Sequence, residues 1–210
     1  MSAAYVISLG YDERFAMRFL LRHSVMEENV VMAIVPRGYE GDEKARTAVN
    51  NLRRLVEWME VVEFDIDDPL KGIVELFSLM KKRMASSERV YLCLSGGMRL
   101  IVISTLLAAQ QLIKEAAKEV WVEIDLENLS GTSTIPLNAF LIPRNERFLK
   151  ILNALMKTER PSIRYVEKET SIPLSTAHRE MKRMVSLGLL TEEFRITDIG
   201  RAYLVLHSRA

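Results

Sequence analysis

The residues from Ser95 to Arg99 have the types and the spacing of a phosphate-binding turn. Two glycines, Gly96 and Gly97, follow an apolar run and precede a helix-like stretch. Glycine allows a backbone to come close to a ligand, and the free N–H groups at the start of a helix face an anion. Arg99 adds a planar guanidinium group that suits phosphate. Because any parallel sheet contains turns of this kind, the meaning of the segment depends on its surroundings.

Three other loops bring glycine together with polar or charged residues at the ends of predicted strands. Ligands of an open parallel sheet bind at the carboxyl ends of its strands, so we expect these loops and the Gly-Gly turn to form one pocket. The glycines at 38 and 131 also have a simpler interpretation, since a glycine permits a tight turn without any ligand. The candidate ligand-binding residues are Gly10, Tyr11, Asp12, Arg37, Ser95, Gly96, Gly97, Met98, Arg99, Ser130, Gly131 and Thr132.

The common nucleotide-binding motifs do not occur in the sequence. A Rossmann dinucleotide site needs G-x-G-x-x-G directly after the first strand, and only Gly10 is present there. The P-loop motif G-x-x-x-x-G-K-[S/T] is missing as well. These absences argue against a nicotinamide-dependent oxidoreductase with a helical tail. Arg37 and Arg99, which follow strands of the same predicted sheet, still favour an anionic ligand.

Apolar runs alternate with helix-like stretches over the first 140 residues. The apolar runs, which predict six strands, are at 5–9, 29–35, 61–66, 90–94, 120–126 and 134–141. The helix-like stretches are at 13–23, 42–59, 70–84 and 100–117. Strands that alternate with helices indicate a mostly parallel sheet that is covered on both faces. We therefore predict an α/β, Rossmann-like domain over residues 1–141.

After a short polar linker at 142–146, the pattern changes to helix on helix. Residues 147–210 predict three helices, a two-stranded hairpin around Glu192 and Glu193, and a last helix, which is the plan of a winged helix-turn-helix domain. The third helix is apolar on one face and polar or cationic on the other, as in a helix that enters a DNA major groove. The same pattern also suits a solvated helix or a protein-contact module. The candidate DNA-binding residues are Ser175, Thr176, His178, Arg179, Lys182, Arg183 and, in the hairpin, Arg195.

Charge is divided unevenly along the chain. The 210 residues carry a formal net charge of +1. Residues 147–210 hold 12 Lys and Arg against 7 Asp and Glu, which gives +5, and the remainder holds 17 against 21, which gives −4. A basic second domain favours double-stranded DNA as its partner, although chance scatter of surface charge is an alternative explanation of the imbalance.

Composition sets further limits. Hydrophobic residues make up 49% of the chain, which is enough to bury a core. The only cysteine, Cys93, lies in an apolar run, so we expect a core residue in a cytoplasmic protein. The sequence shows neither a signal-peptide pattern nor an apolar run long enough to span a membrane. His178 has no Cys or His at metal-ligand spacing, so we expect neither a metal nor a cofactor.

Nearly the whole chain resembles the CRISPR-associated Rossmann-fold (CARF) transcriptional regulators that carry a C-terminal winged helix-turn-helix. The resemblance rests on the turn from Leu9 to Asp12, on the segment from Ser95 to Arg99, and on the winged module that follows a short linker. It implies a homodimer whose two Rossmann-like domains share one pocket. It also implies a cyclic oligoadenylate effector, cyclic tetra-adenylate for this subgroup, and control of CRISPR gene promoters in antiviral defence. Residues 10–12 and 95–99 would contact the ring.

Two functions fit this resemblance. In a DNA-binding regulator, a shift in the shared pocket would change the spacing of two recognition helices through the short linker, as a rigid-body switch. The alternative is a ring nuclease, since some CARF domains cleave their own ring, and Ser95 and Arg99 could stabilise the charged phosphorane. The pocket loops contain no lysine or histidine to serve as general base, and His23 is expected to face away. We therefore favour the regulator and expect no catalytic residue.

Overall fold

Six strands form one sheet in the order β3-β2-β1-β4-β5-β6. The pairs β1–β2, β1–β4, β2–β3 and β4–β5 are parallel. This arrangement confirms the predicted Rossmann-like, mostly parallel sheet. The structure, a computed structural model, describes residues 2–116, 118–126 and 130–208. The strands are β1 Ala3–Ser8, β2 Val30–Pro36, β3 Glu60–Phe64, β4 Arg89–Cys93, β5 Glu119–Asp125 and β6 Thr132–Pro136.

Helices connect the parallel strands. They are α1 Arg14–Arg22, α2 Glu43–Leu55, α3 Pro69–Arg83 and α4 Arg99–Ala116, with a short 3-10 turn at Tyr39–Gly41 before α2. Ala117, the predicted last residue of the fourth helix, lies outside the described residues. Aspartates start two of the helices: Asp42 accepts hydrogen bonds from two N–H groups of α2, and Asp68 accepts one from α3. Such caps satisfy donors that a helix start leaves free.

The two faces of the sheet are buried by different helices. Tyr5 and Ile7 of β1 point to one face, where they share a core with buried residues of α1 and α2. Ala4 and Val6 alternate with them and are fully buried on the opposite face, where α4 packs against β1, β2 and β5 and α3 packs along α4. Strands buried on both faces explain why the sequence shows nearly continuous apolar runs instead of alternation.

The strand order places a crevice beside β1 and β4. After β1 the chain continues to β2 on one side, and after β4 it continues to β5 on the other side. The loops that leave these two neighbouring strands therefore diverge, and ligands of open α/β sheets bind at such a point. Gly10 and the Gly96-Gly97 turn follow these two strands, so the fold brings two of the predicted loops to one edge.

The chain divides into two compact units, Met1–Ile135 and Pro136–Ala210. The second unit begins five residues before the predicted end of the first domain at residue 141. Its helices are α5 Leu137–Leu141, α6 Glu146–Leu155, α7 Ile163–Thr170, α8 Leu174–Ser186 and α9 Asp198–Ser208. The predicted strand at 134–141 is wrong in its second half, because the strand ends at Pro136 and residues 137–141 are helical. A short apolar run does not distinguish a strand from a buried helix.

The predicted hairpin of the winged module is reduced to a single antiparallel bridge between Leu190 and Ile196. Gly188, with a φ of 72°, follows α8 and turns the chain into the first arm. Phe194 adopts a φ of 61°, which reverses the chain at the tip. Among the described residues, no helix combines the length and the apolar character that crossing a membrane requires.

Candidate functional site

The ends of β1 and β4 meet backbone to backbone. A Cβ built on Gly10 would lie 2.8 Å from the Cα and 3.0 Å from the N of Gly97, so there is no room for a side chain between these two backbone segments. Gly97 itself has a φ of +94°, and a Cβ there would lie 3.2 Å from the carbonyl carbon of Ser8. The two glycines are therefore required by close approach and, at Gly97, by backbone conformation.

The side chain of Ser8 stabilises this junction by hydrogen bonding. Its buried hydroxyl lies 2.6 Å from the carbonyl oxygen of Gly96 and 3.2 Å from that of Cys93. One side chain at the end of β1 thus holds the first glycine of the turn and the last residue of β4. The Gly-Gly turn is consequently a defined structure attached to the sheet.

A cavity of about 280 Å³ opens at the junction. Six of the predicted ligand-binding residues line it, together with three residues that were not among the candidates. Phe15 and Ala45 lie in the stretches 13–23 and 42–59 that were predicted to be helical, and Pro36 ends β2. The lining is Gly10, Tyr11, Asp12, Phe15, Pro36, Ala45, Gly96, Gly97 and Met98. Backbone and apolar walls of this kind suit a flat ring such as a nucleobase.

Tyr11 and Asp12 are held by neighbouring residues at the rim of the cavity. The Tyr11 hydroxyl bonds to the Asp42 carboxylate, and this bond raises the pKa of Tyr11 above its ordinary value. Asp12 forms a 2.6 Å ion pair with Arg14, whose hydrogen bond lowers the pKa of Asp12. Because Arg14 compensates the charge of Asp12, the carboxylate repels an approaching anion less than its sign suggests.

Arg99 supplies an available positive charge beside the cavity. It is the first residue of α4, directly after Met98, and its side chain is exposed. No residue within 2–116, 118–126 and 130–208 forms a hydrogen bond or an ion pair with it. The positive end of the 18-residue helix α4 lies at the same place. The start of α4 therefore offers both a side-chain cation and a helix terminus to an anion.

Ser95 and Thr132 are joined through Asp125 at the end of β5. The backbone N–H of Asp125 donates to the Ser95 hydroxyl at 2.7 Å, and the Thr132 hydroxyl donates to the Asp125 carboxylate at 2.5 Å. Gly131 accepts a 2.9 Å backbone hydrogen bond from Leu126, and Ser130 is exposed. These predicted ligand-binding residues do not line the cavity. Their polar groups instead attach the turn after β4 to the segment before β6.

Asp125 also belongs to a buried charged cluster that the sequence analysis missed. Arg22 of α1 donates to Asp125 at 2.9 Å and to Glu123 at 3.1 Å, and the Nε2 atom of His23 lies 2.8 Å from Glu123. Burial raises the pKa of Glu123, but the hydrogen bond to His23 and the charge of Arg22 outweigh it, so the pKa lies below the ordinary value. His23 packs against the rings of Tyr5, Phe19 and Tyr91 and does not line the cavity.

Arg37 follows β2 and is engaged outside the cavity. Its guanidinium donates to the Asp65 carboxylate at 2.6 Å, and its backbone N–H donates to the carbonyl of Phe64. Asp65 also accepts hydrogen bonds from two backbone N–H groups that follow it. The structure thus gives Arg37 a partner at the end of β3, and it does not bring Arg37 together with the Gly-Gly turn.

In the second unit, α8 presents the predicted DNA-binding face. Ser175, His178, Arg179, Lys182 and Arg183 are exposed and Thr176 is half-buried, whereas the opposite face is buried among the other helices. Lys182 lies 3.5 Å from Glu192 and above the ring of Phe194, and Arg183 lies over Phe148 of α6. Arg195 follows Phe194 in the exposed hairpin. Among the described residues, Ser175, His178 and Arg179 are thus the exposed side chains of the predicted set on this helix that have no intramolecular contact.

Comparison with known families identifies both parts of the chain. A family model described as the Csa3 CRISPR-associated Rossmann-like domain matches residues 3–136. The chain belongs to this family. A second model, described as the IclR helix-turn-helix domain, matches residues 146–193. No curated protein sequence matches the chain.

The two matches confirm the predicted resemblance to CARF proteins with a C-terminal helix-turn-helix. For this Csa3-family chain they indicate a CRISPR-associated transcription regulator with a DNA-binding domain. In the helix-turn-helix, sequence reasoning missed Glu180, a buried acidic residue on the inner face of α8 that lies 3.4 Å from Arg147 of α6. An acidic residue among three cations carries no sequence signal for this inward orientation.

Proposed function

We propose that this Csa3-family protein is a homodimeric transcription regulator whose DNA binding depends on a cyclic oligoadenylate ring, with cyclic tetra-adenylate as the effector. The observation that carries the proposal is the cavity at the junction of β1 and β4. Its walls are mainly glycine backbone and apolar side chains, and Arg99, which has no partner among the described residues, lies beside it. A nucleobase would occupy the apolar part, and a phosphate would meet Arg99 and the start of α4.

The size of the cavity supports a shared site. Its 280 Å³ lies at the lower limit of drug-sized pockets, which begin at about 300 Å³, so one chain accommodates one part of a four-nucleotide ring. A ring of four identical nucleotides can adopt two-fold symmetry, and a two-fold dimer presents each loop twice. Two copies of the cavity around one axis would therefore bind one ring.

The exposed apolar residues of α3 and α4 support dimerisation next to the site. Ile103 is 56% exposed, and Leu107 lies one turn further along α4. Leu70 is 78% exposed, and Val74 lies one turn further along α3. Both helices begin at the carboxyl edge of the sheet and pack side by side, so these four side chains form an apolar surface, here called the α3–α4 face. Apolar surface of this kind is typical of a protein interface.

Titration calorimetry with cyclic tetra-adenylate tests the effector. We expect one ring per two chains, and we expect Arg99→Ala to weaken ring binding at least about tenfold, since a charged hydrogen bond contributes about 1.5–3 kcal/mol. Arg54→Ala, which removes an exposed arginine from the last turn of α2, is the matched control and should bind as the wild type. Equal affinity in the two variants contradicts the assigned role of Arg99.

Sedimentation analysis tests the dimer. Ile103→Lys places a charge on the α3–α4 face and should produce monomers that no longer bind the ring. Leu21→Lys introduces the same charge at another exposed aliphatic residue, on α1, and should leave the dimer intact. A dimeric Ile103→Lys variant with normal ring affinity would rule out this face as the interface.

The DNA-binding role is tested independently of the ring. Arg179→Ala should weaken DNA binding across sequences and reduce the salt dependence of affinity by about one counterion per subunit, if Arg179 contacts phosphate. Its ring affinity should remain that of the wild type. The reverse result, with ring binding weakened and DNA binding retained, would contradict the assignment of sensing and DNA binding to separate units.

We propose binding of the ring without cleavage. Among the described residues that line the cavity there is no lysine or histidine to act as general base, and Asp12 is held in an ion pair with Arg14. Incubation with labelled cyclic tetra-adenylate should therefore return the intact ring. Accumulation of linear product at more than a trace rate, abolished in Arg99→Ala, would favour a ring nuclease instead.

A further inference from the structure

Tyr203 of α9 holds the segment that was predicted to be the linker. Its side chain is fully buried in the second unit. The hydroxyl accepts a hydrogen bond from the backbone N–H of Asn145 at 2.8 Å and donates one to the carbonyl of Pro143 at 3.0 Å. Both functions of the phenol group are therefore satisfied by backbone groups of the segment at 142–146.

Asn145 continues the connection into α6. Its side chain accepts hydrogen bonds from the backbone N–H groups of Arg147 and Phe148, at 2.9 and 3.3 Å, and so caps that helix. The ring of Tyr203 packs edge to face against Phe148, with the ring centroids 6.4 Å apart. The same phenylalanine lies beneath Arg183 of α8. A continuous set of contacts thus runs from Tyr203 through α6 to the helix with the predicted DNA-binding face.

The helix α5 is attached to the same element, because it packs against α9. Residues 137–141 and 143–146 are therefore both held by α9 within the second unit. An unattached segment of eleven residues, from 136 to 146, would span up to about 36 Å when extended and would absorb a movement at one end. A segment fixed by α9 transmits the movement instead.

We propose that Tyr203 makes residues 137–146 part of the DNA-binding unit, so that no free linker separates the end of β6 at Pro136 from α6. In this role Tyr203 is a positioning residue: it carries a change in the sensor unit to α8 without touching the ring or DNA. The coupling part of this inference rests on the proposed function. The attachment of the segment to α9 does not, and it is tested separately.

Amide hydrogen exchange on the full-length protein tests the attachment. In the wild type, the Asn145 amide should exchange as slowly as amides in the middle of α6. Tyr203→Phe keeps the ring but removes both hydrogen bonds, and it should accelerate exchange of the Asn145 amide at least tenfold and expose the bond after Arg144 to trypsin. Tyr165→Phe, a tyrosine of α7 in the same unit, is the matched control. Fast exchange of Asn145 in the wild type overturns the inference, and this measurement requires no variant to fold.

The coupling is tested with cyclic tetra-adenylate as the probe and a DNA fragment that the wild type binds. For each variant the ratio of DNA dissociation constants with and without the ring is measured. In Tyr203→Phe this ratio should be at least threefold closer to one than in the wild type. Its DNA affinity without the ring and its ring affinity should both stay within twofold of the wild-type values. An unchanged ratio despite faster Asn145 exchange overturns the positioning role. A wild type that binds the ring or DNA but shows a ratio of one refutes the proposed effector control, whereas the exchange result still decides whether α9 holds the segment.

Discussion

Replacement of Gly10 by alanine is the most direct test of the backbone junction between β1 and β4. The added Cβ would lie 2.8 Å from the Cα of Gly97, whereas ordinary contacts begin at 3.4 Å. The backbone at Gly10 and the backbone at Gly97 must therefore separate by at least about 0.6 Å. The atom that is met belongs to the backbone, so no side-chain rotation relieves the contact.

This displacement has a cost in stability and in binding. Overpacking in a well-packed region typically costs about 1–3 kcal/mol, which for a chain of this size corresponds to a decrease in melting temperature of about 2–12 °C. The Gly96-Gly97 turn also moves relative to Tyr11 and Asp12. The groups of a binding site must lie within about 0.5 Å of their binding positions, so we expect Gly10→Ala to weaken binding of cyclic tetra-adenylate at least about tenfold.

Calorimetric unfolding and ring titration measure the two effects. Gly41→Ala is the matched control, since a Cβ at Gly41 meets no atom within 4 Å and its backbone does not require glycine. This control should retain ring affinity and gain about 0.4–1 kcal/mol at most, through the lower entropy of the unfolded chain. A Gly10→Ala variant that melts and binds the ring as the wild type does would refute the close approach of β1 and β4.

Three further outcomes concern other parts of the molecule. Because the folded-state pKa of Glu123 is depressed, its carboxylate stabilises the fold above its ordinary pKa of 4.5. The difference in melting temperature between wild type and Glu123→Gln should therefore shrink as the pH falls below about 5. Glu192→Gln releases Lys182 from its 3.5 Å contact and should tighten non-specific DNA binding a few-fold more than Glu193→Gln, which changes the net charge equally. Filter binding at several salt concentrations measures the two affinities, and equal effects would contradict the pairing of Lys182 with Glu192. Burial raises the pKa of the Cys93 thiol to about 11, so alkylation at pH 8 should occur only on unfolding, and rapid labelling of the native protein would contradict that burial.

The parts of the fold that depend on local pattern were predictable from the sequence. Strands buried on both faces produce the apolar runs that identify β1, β2 and β4. The glycine at the end of α8, Gly188, has the left-handed conformation that a helix end commonly requires. The failure at 137–141 has the same origin, because a largely apolar segment of five residues fits one turn of helix as well as a strand, and only packing against α9 decides between them.

The sequence predicts those residues of the candidate site that are required by backbone geometry. It does not predict which charged side chains are paired with residues far away in the sequence. Gly10 and Gly97 are recognisable because no other residue fits positions of such close approach. The partner of Arg37 is Asp65, 28 positions away, and the partner of Arg22 is Asp125, 103 positions away. Sequence spacing contains no information about such contacts, so a cation beside a predicted pocket could not be distinguished from a cation already paired.

These partners change which residues can recognise a ligand. Ser95 and Thr132 both bond to Asp125, whose side chain is inaccessible to solvent. A ligand that took the Ser95 hydroxyl would remove the acceptor of the Asp125 N–H, and one that took the Thr132 hydroxyl would remove one of the donors to the buried Asp125 carboxylate, and either loss is costly. Within the described part of the chain, Arg99 has no such competing contact. Recognition should therefore depend on the glycine backbone, the apolar wall around Phe15 and the charge at the start of α4, while Asp125 determines where the turn after β4 lies.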